Sequence, residues 1–408
     1  MDYTTLPLDS HDQHQSVPKQ MQSLYEVFKQ VKDGRAARGK QYELAALVVL
    51  LLTAKLAGET SLLGASEWIR LRADSLCEAL HLSWKHMPCA NTYRYALERL
   101  DSRQVNALVA AWFVRHEAQR RCDEEPSRLV AQAEHRQGHL AIDGKVLKGT
   151  GTQLYGGEKP QQHVLHVYDV QTGIVLEQVP IGKKENEVSA LKPLLTPGVC
   201  KGRVLTADAA QSYHEFGRVV QRAGGDVVLF LKDNTPTARA DVELFFEDPQ
   251  ADRRTWQSFE QREKGHGRLE HRSIVTSPDL NEYLYREWGD VGQVFRLQRE
   301  RTCKGQQSVE VIYGWTSLAP KHCSAERLLG LIRAHWMVEN RLHWRRDVTL
   351  GEDRCGVRLA SVAELLAVLN TVVLSLMDLQ QVSNVARQLR RFSAYPREAL
   401  AWLLHHDF

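Results

Sequence analysis

The sequence predicts an α/β fold: a mixed-sheet core interrupted by a β-rich insertion, with helical regions at both ends. Three observations predict it. Helical periodicity fills the stretch from Lys19 to about Arg121. Five short apolar runs after residue 138 read as strands, the later ones alternating with helical stretches. Helical periodicity returns from Ala325. A chain of 408 residues exceeds one ordinary small domain, and 43% apolar with 25% charged residues leaves material for a sizeable core.

Each element follows in order. Residues 1–18 are polar, lack the charged-then-apolar pattern of a signal peptide and are expected to be disordered. The longest apolar stretch, LAALVVLLLTAKLAG from Leu44, is shorter than the roughly 20 residues a bilayer span needs, and Lys55 interrupts it. It reads as a buried core helix, with no membrane role. Next comes CANTYRYALERL, where Asn91 or Thr92 is expected to cap a helix carrying Tyr93, Arg94, Tyr95 and Arg99. Short helices with an Arg/Tyr face suit a DNA-binding domain over 19–121, and they suit a plain bundle equally. The polar segment 122–137 reads as a linker.

The strands then begin. GHLAIDG reads as a short apolar strand ending on Asp143. HVLHVYDV and GIVLEQVPIG alternate around a Gln171-Thr172-Gly173 turn. GRVLTADAA carries Asp208, SYHEFGRVVQRAG reads as an amphipathic helix, and DVVLFLK as a buried strand. A hairpin meander followed by alternating helices and strands is the order of an RNase H-like sheet, here over 138–232. Residues 233–323 are expected to form a β-rich insertion subdomain with strands at HRSIVTSP, QVFRLQRER and SVEVIYGWTSL. Residues 324–358 complete the core, and 359–408 are C-terminal helices.

The net charge of +3 is a weak argument for nucleic acid. Local basic clusters, such as Arg253 to Arg272 and Arg387 to Arg397, say more, though Glu260, Glu263 and Glu270 dilute the first. The seven cysteines include no CxxC pair, which argues against a disulfide framework or a cysteine zinc site and fits a reducing cytoplasm.

Three carboxylates stand out. Asp143 and Asp208 each close an apolar strand, where loops open a crevice on a rigid sheet. One such aspartate is more often a turn cap; two at matched strand ends favour a site. Two Mg²⁺ ions can run phosphodiester cleavage, and hard cations take carboxylate oxygens. The third ligand can come from far along the chain, and Glu339 in RAHWMVENRLHW is the candidate. His335, Glu339 and His343 are spaced i, i+4, i+8 and share one face of a regular helix, with Arg346 near it. A zinc site on His335 and His343 is disfavoured, since helical rise separates the rings by about 12 Å.

These residues carry a resemblance. HLAIDGKVLKGT, KKENEVSALKPLL, VLTADAAQSYHEF, KGHGRLEHR and RAHWMVENRLHWRRDVTLGEDRCGVR resemble, in that order, the block motifs of the H-repeat-associated (ISAs-type) insertion-sequence DDE transposases. The resemblance runs from about Lys32 to Arg358. It implies an RNase H-like core with Asp143, Asp208 and Glu339 as the metal-binding triad. It also implies cutting at the element's own ends and joining of the freed 3′-OH to target DNA with Mg²⁺ or Mn²⁺. Broader relatives carry Tyr, Arg, Glu and Lys around the glutamate; here Ile332, His335 and Arg346 stand at the Tyr, Arg and Lys positions. Arg346 keeps the charge but presents a fork.

Further candidates for contacting DNA are Arg346, His335, His343, Lys145, Lys148, His266, Arg268 and Arg94, with Lys183, Lys184 and Asn186 before a helix. The expected partner is double-stranded DNA, both element ends and target. Acting on two ends implies a homodimer or larger synaptic complex, in the cytoplasm and at the nucleoid. Two rivals keep the same fold: a catalytically idle copy regulating through DNA binding, and a nuclease that hydrolyses without joining.

Overall fold

A computed structural model describes residues 22–124, 138–150, 152–154, 157–159, 161–182, 187–207, 214–232, 235–265 and 267–404. Its strands are β1 (Gly138–Leu147), β2 (Thr152–Leu154), β3 (Gly157–Lys159), β4 (Gln162–Asp169), β5 (Val175–Ile181), β6 (Arg203–Ala207), β7 (Asp226–Leu231), β8 (Gln257–Gly265), β9 (Arg268–Ser277), β10 (Gln293–Cys303) and β11 (Gln306–Thr316). The chain divides into two compact units. One holds the described residues of 136–143 and 182–337; the other holds those of 11–135, 144–181 and 338–408.

In the first unit the sheet runs β1-β6-β7-β11-β10-β9-β8. β1, β6 and β7 are parallel, with Leu140 opposite Leu205 and Leu205 opposite Val227. Strands buried on both faces read as continuous apolar runs, which is why VLTA and VVLFL were legible. Residues 233–323 are not a separate body. β11 pairs antiparallel with β7, Thr316 opposite Val228 and Tyr313 opposite Leu231, so the insertion continues the core sheet. It also contains the helices Pro236–Glu247 and Asn281–Trp288 and the strand β8, none of them expected. β8 lies at the sheet edge with charged residues on both faces (Glu260, Arg262, Glu263, Lys264), so its sequence lacks the apolar alternation of a half-buried strand. The helix Ala325–His335 is capped by Ser324, whose hydroxyl accepts from the Arg327 N–H. It lays Leu328, Leu329 and Ile332 on Phe230, Ile274 and Phe295.

The second unit is mainly helical. Its N-terminal helices are α1 (Leu24–Lys29), α2 (Leu44–Leu56), α3 (Leu62–Arg70), α4 (Ala73–Ala79), α5 (Ala90–Glu98) and α6 (Ser102–Glu124). All 13 residues of α2 are buried, Lys55 included. α5 starts one residue before Asn91, with Cys89 at its N-cap, so Asn91 and Thr92 lie inside the first turn and do not cap it. The helix Ala360–Leu379 is long and apolar enough to cross a membrane, but 83% of that window is buried inside the protein. A core helix passes the same test.

β4 and β5 form the expected hairpin. Asp169 Oδ1 accepts from the N–H groups of Gln171 and Thr172, and Gly173 takes φ +78°, a conformation that favours glycine. On β5 partly buried Glu177 is pushed up to about 7 by burial, which Arg103 only partly offsets. The folded chain therefore holds a proton that the unfolded chain releases from pH 4.5 upward. Stability is lost as pH rises through that window to about 7. Glu177→Gln is expected to raise stability at pH 8 by about 2–3 kcal/mol and to change it little at pH 5. Urea midpoints at the two pH values check this.

Gly149 follows β1 and permits a close approach. A Cβ there would lie 1.9 Å from the Cys355 carbonyl oxygen, a backbone atom. Gly149→Ala is expected to destabilise by about 3 kcal/mol, read as a fall in urea midpoint.

Candidate active site

In the first unit, β1 and β6 run side by side with Ile142 opposite Ala207. Asp143 is the residue after Ile142, and Asp208 is the residue after Ala207. The parallel pairing of β1 with β6 thus stops one residue before Asp143, but β1 does not close there as expected: it runs on through Asp143 to Leu147. Asp143 is partly buried; Asp208 lies outside the described residues. A buried polar line ties the two strands to the end of the helix Ala325–His335. His139 Nε2 is 2.8 Å from Thr206 Oγ1, and Thr206 Oγ1 is 2.9 Å from His335 Nδ1. Burial pushes His139 down to about 3, so its ring is neutral at neutral pH.

The glutamate segment departs from a regular helix. The helix ends at His335, with Trp336 as its C-cap. Val338–His343 and Arg345–Thr349 are then π-helical, a form that recurs at functional sites. The expected shared face therefore breaks. His335 is buried against Thr206 and belongs to the first unit, whereas Glu339 and His343 belong to the second.

Within the second unit Glu339 is exposed, and its Oε2 sits 3.2 Å from His343 Nδ1. That hydrogen bond, helped by the charges of Lys145 and Lys148, holds its carboxyl below the usual range, so it is ionised at neutral pH. His343 is buried, and its Nε2 lies 3.2 Å from His166 Nδ1 on β4. His166 Nε2 in turn lies 2.6 Å from an Arg346 guanidinium nitrogen. Arg346 Nε donates to both Glu352 carboxylate oxygens, at 3.0 and 2.9 Å. Asn370 donates to Glu352 at 2.8 Å and accepts from Lys55 at 2.8 Å. Burial is the largest influence on His166 and on Lys55 and lowers both; the Arg346 charge further disfavours a proton on His166.

Several residues expected at DNA are placed differently. Arg346 is fully buried on Glu352 and His166, so its guanidinium does not face a phosphate. His335 and His343 are also buried, and buried Lys145 donates to Asp347 at 2.5 Å. Lys148 is exposed and pairs with Asp353 at 2.8 Å. Arg94 on α5 is exposed, 3.5 Å from Glu98, and Arg268 on β9 lies 2.8 Å from Glu270. Lys183, Lys184, Asn186 and His266 lie outside the described residues. His166, Glu352 and Asn370 were missed. The available signal was Lys55, one cation inside an apolar helix, which requires a buried partner.

A transposase DDE domain matches residues 134–376, more than half of the chain. The chain belongs to the DDE transposase family. A second domain, described as DDE_Tnp_1-associated, matches residues 25–113 of this transposase. The chain is 28% identical over 273 residues to "H repeat-associated putative transposase YhhI" of Escherichia coli K12, covering 65% of this chain and 71% of the relative. It is 29% identical over the same length to "Putative protein YbfL" of that strain, with the same coverage. With "Putative transposase YncI" of Escherichia coli O157:H7 it shares 25% identity over 395 residues, 93% of this chain and 95% of the relative. The H-repeat-associated resemblance read from the motifs thus agrees with these relatives.

Proposed function

We propose that this transposase cuts double-stranded DNA at the ends of its own insertion element and joins the freed 3′-OH to target DNA. Asp143, Asp208 and Glu339 would hold two divalent ions, Mg²⁺ or Mn²⁺. The observation that carries the proposal is the β1–β6 register, whose last pair is Ile142 and Ala207, the residues that precede Asp143 and Asp208 in the chain. The donor set fits the ions: carboxylate oxygens suit hard cations, and Glu339 is ionised and exposed. When bound, such a pair activates the attacking oxygen and stabilises the leaving one.

The chain's own residues supply position. His343 orients the Glu339 carboxylate, and strand β1 carries Asp143. Water attacks the phosphodiester first and the 3′-oxygen leaves; the 3′-OH then attacks target DNA, and no covalent enzyme intermediate forms. The parallel β1-β6-β7 set and the β4–β5 hairpin support an RNase H-like core. Handling two element ends calls for a dimer or larger assembly, working in the cytoplasm at the nucleoid.

The test is to incubate the purified protein with labelled DNA carrying the gene's flanking sequences and Mg²⁺ or Mn²⁺. Cleavage at a flank followed by joined products is expected. Binding without cleavage would replace this reading by a DNA-binding regulator; cleavage without joining would replace it by a nuclease.

A further inference from the structure

The buried line behind Glu339 has a direction, and Arg346 sets it. A guanidinium carries only N–H donors and stays protonated, so at 2.6 Å it can only donate to His166 Nε2. That nitrogen must then offer its lone pair, which puts the His166 proton on Nδ1. His166 Nδ1–H points at His343 Nε2, 3.2 Å away, so His343 accepts there and carries its own proton on Nδ1. His343 Nδ1–H finally donates to Glu339 Oε2 at 3.2 Å. The reverse order fails at both ends. It would set an N–H of His166 against an N–H of Arg346, and a lone pair of His343 against a carboxylate. Gln178 Oε1, 3.2 Å from His166 Nε2, would accept in that reverse order. This contact is the longer and uncharged one, and the cation at 2.6 Å outweighs it.

Glu352 holds Arg346 in place through Nε, and Asn370 and Lys55 hold Glu352 in turn. The anchor is fully buried and the far end is exposed. We propose that Arg346 is a positioning residue for Glu339, acting through His166 and His343, which it holds in the tautomers that aim one N–H at the glutamate. The proposal rests on Glu339 being a metal ligand, as above. It replaces contact with DNA as the role of Arg346.

The test starts with the wild-type full chain carrying ¹⁵N-labelled histidine, where ring-nitrogen resonances tell N–H from lone pair. His166→Asn and His343→Asn assign the signals. Both rings are expected as Nδ1–H tautomers in metal-free protein. Mn²⁺ affinity, by electron paramagnetic resonance, and DNA affinity against salt are then measured for three variants. The double variant Arg346→Met/Glu352→Gln removes both members of the buried ion pair together, so neither is left without the other. It is expected to weaken Mn²⁺ binding by about 10–100-fold, as lost outer-shell partners do. Its DNA affinity and salt slope are expected to stay unchanged. His166→Leu is expected to weaken Mn²⁺ binding in the same way. His166→Asn, whose amide can donate from near the Nδ1 position, is expected to restore much of it.

His343 found with its proton on Nε2 would overturn the proposal, since Nδ1 would then be a lone pair suited to ligating the ion itself. Unchanged Mn²⁺ affinity in the double variant would also overturn it, as would a salt slope reduced by about one charge. Failure of the wild type to bind Mn²⁺ would instead sink the metal-site reading, a result visible before any variant is compared.

Discussion

Glu339→Gln is expected to lower strand cleavage by about 10³-fold or more while DNA affinity stays within about twofold. The substitution is nearly isosteric and removes one charge. The amide oxygen of the new side chain can still accept from His343 Nδ1, so the local fold has no reason to change. Glu339 is exposed, and its loss leaves no buried charge behind. A neutral oxygen holds a hard cation far less well than a carboxylate, so the effect falls on the chemical step. Gel assays of cleavage and of mobility shift separate the two. Equal losses of binding and cleavage would make Glu339 a DNA contact; unchanged cleavage would remove it from the site.

The second large effect is on stability. Arg346→Met is expected to cost about 3–5 kcal/mol, because it strands the buried Glu352 carboxylate without its main cation. The charges of Arg346 and Lys145 and the hydrogen bonds of Arg346 and Asn370 pull Glu352 below its usual range against the cost of its burial. Adding Glu352→Gln is expected to recover a substantial part, since a buried ion pair replaced as a pair is often near neutral. Urea denaturation of the wild type, both single variants and the double variant closes the cycle. A single variant as stable as wild type would show that the pair is open to water.

The parts of the fold legible in the sequence are those whose burial is one-sided or complete. β1, β6 and β7 announce themselves as apolar runs, and Asp169 with Gly173 marks a turn by its chemistry. β8 is hidden because an edge strand with charged residues on both faces lacks a clear apolar period. The π-helical stretch is hidden for another reason. Spacing arithmetic assumes 3.6 residues per turn, so it placed His335 with Glu339 and His343 although the regular helix ends before Glu339. The i+4 pairing of Glu339 with His343 survives that change, and the role of Arg346 does not. Burial of a cation depends on partners such as Glu352 and His166, which lie six residues ahead in the chain and 180 residues behind. No local pattern encodes that.

The claim at the centre is that Asp143, Asp208 and Glu339, far apart in sequence, ligate the same ions. Iron-directed cleavage of the protein backbone tests it without any DNA. Fe²⁺ with ascorbate, taking the divalent site, is expected to cut the chain beside all three residues. Excess Mg²⁺ is expected to suppress the cuts, and Glu339→Gln to abolish them. Cuts confined to one of the three positions, or lying elsewhere and indifferent to Mg²⁺, would contradict a shared metal site.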